Sequence, residues 1–338
     1  MGRPGATPTP PRPIGHTARV KVTLVVNAAA SSVTARGRVL IQRRLSAHHE
    51  VEVVETGRRG HATRLAHGAA RAGAEVVIAL GGDGTHNEVA NGLVGTTTAL
   101  GTLPGGSTNV FARSLGLPND PVAATDALLA ALSAGRIDRV GLGSANGRYF
   151  LFHVGAGFDA AVVEQVERRG VLKRYAGHPL FMASAIDAWA RHVDRSRPWF
   201  SITTEGEVVD DAWFGIALNT RPYTYLGNRP LDIAPEAGLE QPLSVVALRS
   251  MTLPSLVGAV RSALASPHGV RHGGPLVHWA DVPWCRFDGH RPFPYQLDGD
   301  HLGSVDRLDI RYHPEVLELV RPLSDRPAPP GRRRGRSR

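Results

Sequence analysis

Apolar and polar positions change their rhythm once along this chain. From Val20 to about Gly135, short unbroken apolar runs alternate with segments of helical spacing, the pattern of a parallel α/β sheet. Val20-Lys21-Val22-Thr23-Leu24-Val25-Val26 reads as the first strand and Val51-Glu52-Val53-Val54 as a second. Ala62, Leu65, Ala66, Ala69 and Ala70 then fall on one helical face, and Gly73 stands where it can close that helix. Glu75-Val76-Val77-Ile78-Ala79-Leu80 predicts a strand buried on both faces, because its apolar centre is unbroken. Asn119-Asp120-Pro121, a cap with a first-turn proline, announces a further helix with Val122, Thr125, Leu129 and Leu132 on its face and Gly135 after its end.

Beyond Gly135 the pattern becomes strand-like. Ile137 to Leu142 and Arg148 to Val154 flank Asn146-Gly147, a dipeptide that favours a tight hairpin turn. Further strand-like runs occur at 199–204, 212–218, 243–248, 306–312 and 316–320, interrupted by helical stretches near 159–169, 179–192 and 253–265. The expected fold class is therefore α/β plus mainly β. A parallel α/β domain over 18–140 precedes an antiparallel, β-sandwich-like domain over 141–314, with no internal repeat. Residues 1–17 and 323–338 are rich in Pro, Gly and Arg and are expected to be disordered.

At 338 residues, two domains is the natural prior, and 42% hydrophobic with 20% charged residues is an ordinary globular mixture. The single Cys285 excludes an intrachain disulfide, favours a reducing compartment, and reads as a buried thiol within an apolar stretch. Part of the net charge of +9 comes from the tail 331–338, which could meet anionic lipid or nucleic acid but reads more simply as a solvated end. Elsewhere the basic residues are scattered, so no specific nucleic acid is expected. No apolar run approaches the ~20 residues that cross a bilayer, so any membrane contact is expected to be peripheral. Trp189, Trp199, Trp213, Trp279 and Trp284 read as core residues more readily than as interface anchors.

Two segments carry chemistry. Leu80-Gly81-Gly82-Asp83-Gly84-Thr85-His86-Asn87-Glu88-Val89 runs from a strand into a helix. Its glycines permit a sharp turn and close ligand approach, and the helix start favours an anion such as a phosphate chain. Taken alone it reads equally as a plain strand-to-helix turn. Asp83 beside a phosphate implies an intervening cation, Mg²⁺. One strand later, Thr102-Leu103-Pro104-Gly105-Gly106-Ser107-Thr108-Asn109 makes a second such turn, with Ser107, Thr108 and Asn109 able to cap the following helix and bond phosphate oxygens. Neighbouring glycine turns at the carboxyl edge of a parallel sheet form the usual ligand crevice. No lysine follows a glycine, so a Walker-A loop is excluded. Histidines such as His48, His49 and His86 lack metalloprotease spacing and read as surface residues.

These motifs, with Asn87-Glu88 and Phe111-Ala112-Arg113, resemble the diacylglycerol kinase catalytic domain family, which includes bacterial lipid kinases, sphingosine kinases and ceramide kinases. The resemblance spans residues 20–320. It implies a phosphofructokinase-like nucleotide domain, a β-rich lipid domain, and a last strand over 315–322 that returns to the first domain. The activity implied is transfer of the ATP γ-phosphoryl group to a lipid hydroxyl, with diacylglycerol as first candidate and Mg²⁺ as cofactor. The protein would be cytoplasmic and peripheral at the inner membrane face, with lipid as partner and a homodimer left open. Residue by residue, the resemblance implies that Gly81, Gly82, Asp83, Gly84 and Thr85 hold ATP phosphates. Asp83 also binds Mg²⁺, and Asn27, Thr56, Glu88, Gly106, Ser107, Thr108, Asn109 and Asp300 complete the nucleotide site. Asp298, in Gln296-Leu297-Asp298-Gly299-Asp300, is the implied catalytic base, although Asp-Gly between strands is by itself a strong hairpin signal.

The chain departs from the family pattern at Ala28, where proline is usual, at Val110, where many members have Asp, and at Asp300, where many have Glu. Members with a structural Mg²⁺ site carry acids where this chain has 237–244; Glu240 is a substitute there, but Ser244 cannot replace a carboxylate. A sphingoid or other lipid alcohol kinase, an NAD kinase with its shared Gly-Gly-Asp-Gly loop, and an inactive nucleotide- or lipid-binding homologue are the rival readings.

Overall fold

A computed structural model describes residues 19–28, 30, 33–168, 197–252, 254, 255, 258 and 275–322. The expected disordered ends and the helix near 179–192 lie outside these residues, as does nearly all of 253–265. The first half is a run of β1 (Lys21–Asn27), α1 (Ala35–His48), β2 (Glu50–Thr56), α2 (His61–Arg71), β3 (Val76–Gly81), α3 (Asp83–Leu93), β4 (Ala99–Pro104), α4 (Val110–Ser114) and α5 (Pro121–Ser133). Its four strands pair in parallel in the order β4-β3-β1-β2. Every residue of β3 and β4 is buried, which requires helices on both faces. The two-residue side-chain period divides them. Leu24, Val26, Ile78 and Leu80 pack against Ile41 and Leu45 of α1 and Leu128 of α5. Val25, Val77 and Ala79 pack against Ala62 and Ala66 of α2 and Val89 and Leu93 of α3.

Helix α1 was not announced by the pattern. Only Ile41 and Leu45 are buried in it, while Val39 is 51% exposed, so its apolar stripe is too narrow to read. It starts because Thr34 accepts a hydrogen bond from the Gly37 amide (3.0 Å). Helix α5 starts on Asp120, which accepts from the Ala123 amide (2.8 Å), followed by Pro121.

The second half contains β5 (Ile137–Ala145), β6 (Arg148–Phe150), β7 (His153–Gly157), α6 (Phe158–Arg168), β8 (Phe200–Thr203), β9 (Val208–Ala212), β10 (Phe214–Leu218), β11 (Thr224–Leu226), β12 (Arg229–Leu231), β13 (Leu243–Leu248), β14 (Leu276–Val282), β15 (Trp284–Leu297) and β16 (Asp300–Val320). The turn Asn146-Gly147 has φ of 47° and 84°, the left-handed pair that a two-residue hairpin requires. The antiparallel path β14-β13-β10-β7-β15-β16 joins the parallel strands through β16. The runs at 306–312 and 316–320 are one strand of 21 residues, not two. Its register with β5 shifts between His313 and Leu317, and Leu319 then pairs in parallel with Leu100 of β4. One hydrogen-bonded network therefore holds both halves; among the described residues only β11 and β12 stand apart, as a two-stranded ribbon.

Candidate active site

The two glycine turns are one object. Gly81 sits opposite Pro104 at the ends of β3 and β4, and the Gly105 amide donates to the Gly81 carbonyl (2.8 Å). A Cβ on Gly105 would lie 2.9 Å from the Gly81 Cα, and one on Gly106 would lie 2.8 Å from the Gly82 Cα. The glycines thus let two backbones stack, a use beyond the sharp turn and ligand approach expected of them. Asp83, in the first turn of α3, accepts hydrogen bonds from the amides of Val110 (2.9 Å) and Phe111 (3.0 Å). It caps α4, the role expected of Ser107, Thr108 and Asn109. Asn109 instead bends the turn: at φ 52° it accepts from the Gly106 amide (2.7 Å) and donates to the Gly106 carbonyl (3.0 Å) and to Asn119. Ser107 is left exposed at the crest and Thr108 half-buried. Asn27, at the end of β1, donates to Thr85 Oγ1 (3.0 Å), and Thr56 of β2 pairs with Asn27 in register.

Glu88 faces the neighbouring loop. Its carboxylate accepts from the amides of Gly60 (2.7 Å) and Ala62 (3.0 Å), supplying the cap that α2 lacks in its own sequence. His86 is fully buried, not on the surface, and its Nε2 lies 3.1 Å from the Leu103 carbonyl. Burial lowers its pKa. His49 is also buried; His48 is exposed.

The Asp298-Gly299 turn between β15 and β16 brings two acids to the seam between the halves. Asp298, at φ 50°, is 3% exposed. Its Oδ1 accepts from the amides of Phe152 (2.9 Å) and His153 (3.1 Å). Its Oδ2 accepts from the Leu151 amide (2.7 Å) and from Asn87 Nδ2 (2.8 Å). Three successive amides form an anion-binding nest, and the four bonds fill the acceptor capacity of a carboxylate. Burial pushes its pKa up to about 7, with the four donors pulling the other way. Asn87, on α3, also donates to the Tyr149 carbonyl (2.8 Å), while its Oδ1 accepts from Arg148 Nη2 (2.9 Å).

Asp300 points to the nucleotide-side turn. A Cβ on Gly84 would lie 3.2 Å from its Oδ2, its side chain is 25% exposed, and Arg59 Nη2 is 3.5 Å from its Oδ1. Sequence reasoning gave no role to Asn87, Arg59 or Arg148. Asn87 and Asn91, one helical turn apart among buried residues of α3, were the available signal, since amides on a buried face need partners elsewhere. The Arg58-Arg59 pair before Gly60 gave a weaker one.

The stacked turns, exposed Ser107 and a nearby guanidinium fit a phosphate chain. Among the described residues no group of three His, Cys, Asp or Glu could hold a metal. Mg²⁺, however, is held largely by phosphate and water oxygens with one or two carboxylates. Asp83, expected to bind it, places both oxygens on amides of α4. At the second segment, Glu240 pairs with Arg321 (2.6 Å) and Ser244 lies buried in β13.

A model of the diacylglycerol kinase catalytic domain matches residues 21–162. A protein of Chromohalobacter salexigens named "Probable lipid kinase YegS-like" is 31% identical over 269 residues, covering 78% of this chain and 81% of that one. One of the same name from Pseudomonas aeruginosa is 31% identical over 308 residues, covering 89% and 94%. The crystal structure of a diacylglycerol kinase from Bacillus anthracis shares the fold with a TM-score of 0.65 at 18% identity, covering 90% of this chain and 97% of that one. The chain belongs to the diacylglycerol kinase catalytic domain family, alongside the YegS-like proteins.

Proposed function

We propose that this protein is an ATP-dependent lipid kinase that phosphorylates a lipid hydroxyl, with diacylglycerol, yielding phosphatidic acid, as the first acceptor to test. Relatives named lipid kinase and diacylglycerol kinase support the reaction class. The observation that carries the reading is Asp300, whose carboxylate lies 3.2 Å from where a Cβ on Gly84, in the first glycine turn, would stand.

Phosphoryl transfer is mostly positioning and charge stabilisation, with one carboxylate needed to accept the hydroxyl proton. The amides at the start of α3 and those of residues 107–109 would receive the phosphates. Arg59, 66% exposed and rooted beside the Glu88-pinned loop, would move from Asp300 to phosphate oxygens. Bound Mg²⁺ would neutralise charge on the β- and γ-phosphate oxygens. Asp300 would take the acceptor's proton. Asp298 is better read as the post that fixes the turn, because accepting a proton would displace an amide from one of its oxygens. No helix among the described residues is long and apolar enough to cross a membrane, so the lipid would be met at a bilayer surface.

The test is a radiolabelled-ATP assay against diacylglycerol, sphingoid bases, other lipid alcohols and NAD, with products extracted and resolved. Label in one lipid, abolished by Asp300→Asn, supports the reading. Label in NAD alone, or ATP binding with no product, rejects it.

A further inference from the structure

The ribbon β11–β12 belongs to neither half of the main sheet, and isolated two-strand ribbons are barely stable in water. Leu231 packs it against the hydrophobic cluster around Trp213 and Ile216, and two further contacts bear on the site. Tyr223, immediately before β11, donates its hydroxyl to Asp159, which is buried in the antiparallel half and also accepts from Gln296 Nε2 (2.7 Å). Tyr225, within β11, lies under the guanidinium of Arg113, whose Cζ is 3.5 Å from the ring centroid. The same guanidinium donates to the Gly227 carbonyl in the ribbon turn (3.2 Å) and reaches back to the Thr108 carbonyl (3.5 Å). Arg113 ends α4, the short helix that the 105–109 turn leads into. Asp83 fixes the start of α4 from one side, and the ribbon fixes its end from the other.

We propose that Arg113 is a positioning residue for the 105–109 turn, acting through the β11–β12 ribbon, which straps the antiparallel half onto that turn. The strap spans the seam: its Tyr223 end is tied to the strand that leads into Asp298, its Tyr225 end to the glycine turn. Order in the acceptor half is thereby transmitted to the phosphate side. The role in nucleotide binding rests on the kinase reading; the strap itself does not.

Four variants of the full chain test it: Arg113→Ala, Tyr225→Leu, their combination, and Tyr225→Phe. Hydrogen exchange without nucleotide should show faster exchange at amides 105–110 in the first three and protection restored in Tyr225→Phe, which keeps the aromatic face. ATP affinity, by titration calorimetry, should fall about tenfold in either single variant. The double variant should be no weaker than the singles, the signature of one shared contact. Unchanged exchange in Arg113→Ala and Tyr225→Leu, or independent addition of their effects, overturns the strap. Faster exchange in the variants with no ATP affinity in the wild type leaves the strap standing and removes the kinase reading.

Discussion

Replacing Asp298 by Asn separates a structural post from a proton acceptor. Asparagine keeps the shape but turns one oxygen into an NH₂ group. In either orientation, two N–H donors then face a donor: those of Leu151 and Asn87, or those of Phe152 and His153. Each buried unsatisfied donor costs about 1–3 kcal/mol, so the gross loss is about 2–6 kcal/mol. Removing the buried charge returns part of that, because burial has already pushed the carboxyl up to about 7. A net destabilisation of about 3 kcal/mol is expected. At pH 8, where Asp298 is mostly ionised, urea unfolding followed by circular dichroism should show the midpoint lowered by about 1 M. Asp300→Asn should keep the wild-type midpoint within the about 0–1 kcal/mol of a partly exposed ion pair, and lose turnover. If Asp298→Asn unfolds with the wild type and yet has lost kcat, the reasoning is refuted and Asp298 is the base.

Gly106→Ala should weaken ATP binding at least tenfold by calorimetry, because its Cβ would lie 2.8 Å from the Gly82 Cα and pry the stacked turns apart; wild-type affinity would show that the stacking does not matter. Glu88→Gln should lower stability by about 1 kcal/mol, since its new NH₂ must face the Gly60 or the Ala62 amide, and an unchanged thermal midpoint would reject its capping role. Burial holds His153 down at about 3, against 6.5 for the free side chain. Between those values the unfolded chain binds the extra proton, so this group's contribution is complete above pH 6.5 and is lost as pH falls. The slope is at most about 1.4 kcal/mol per pH unit. Asp298, raised from 3.8 to about 7, contributes the opposite slope over much of the same range, so the comparison must be a difference. On acidification from pH 6 to 4, His153→Gln should lose less stability, or gain more, than the wild type; parallel curves would place the His153 proton elsewhere.

The parts of the fold that were legible are those where one face is apolar and its neighbours are near in sequence. β3 and α2 read correctly because burial on both sheet faces leaves unbroken apolar runs and stripes. α1 escaped notice because two side chains suffice to dock it. β16 looked like two strands because Pro314 and Glu315, the latter at φ 52°, interrupt the alternation, while β5 resumes pairing on the far side. The glycine turns and the Asp298–Asp300 turn stood out as motifs, but the partner of each acid did not. The amides that fill Asp298 lie 145 to 147 residues earlier in the chain, and no spacing rule reaches that far.

Those partners decide what the acids can do. Asp83, Glu88 and Asp298 each sit beside a glycine-bearing turn, and each spends its carboxylate on amides of another segment: α4, the start of α2, and the 151–153 nest. A carboxylate bound to two or more N–H groups is a strong joint, because such bonds are charge-assisted and directional. On the proposed reading it is a joint rather than a base, since protonation removes acceptors that buried donors require. The three acids therefore act as fixed joints between separate segments of the chain. Asp300 differs in pairing with a side chain, that of Arg59, which is still more exposed than itself. An exposed pair at 3.5 Å contributes about 0–1 kcal/mol, so exchanging it for phosphate contacts costs little. On the proposed reading, Asp300 is the acid that faces the place where partners must change.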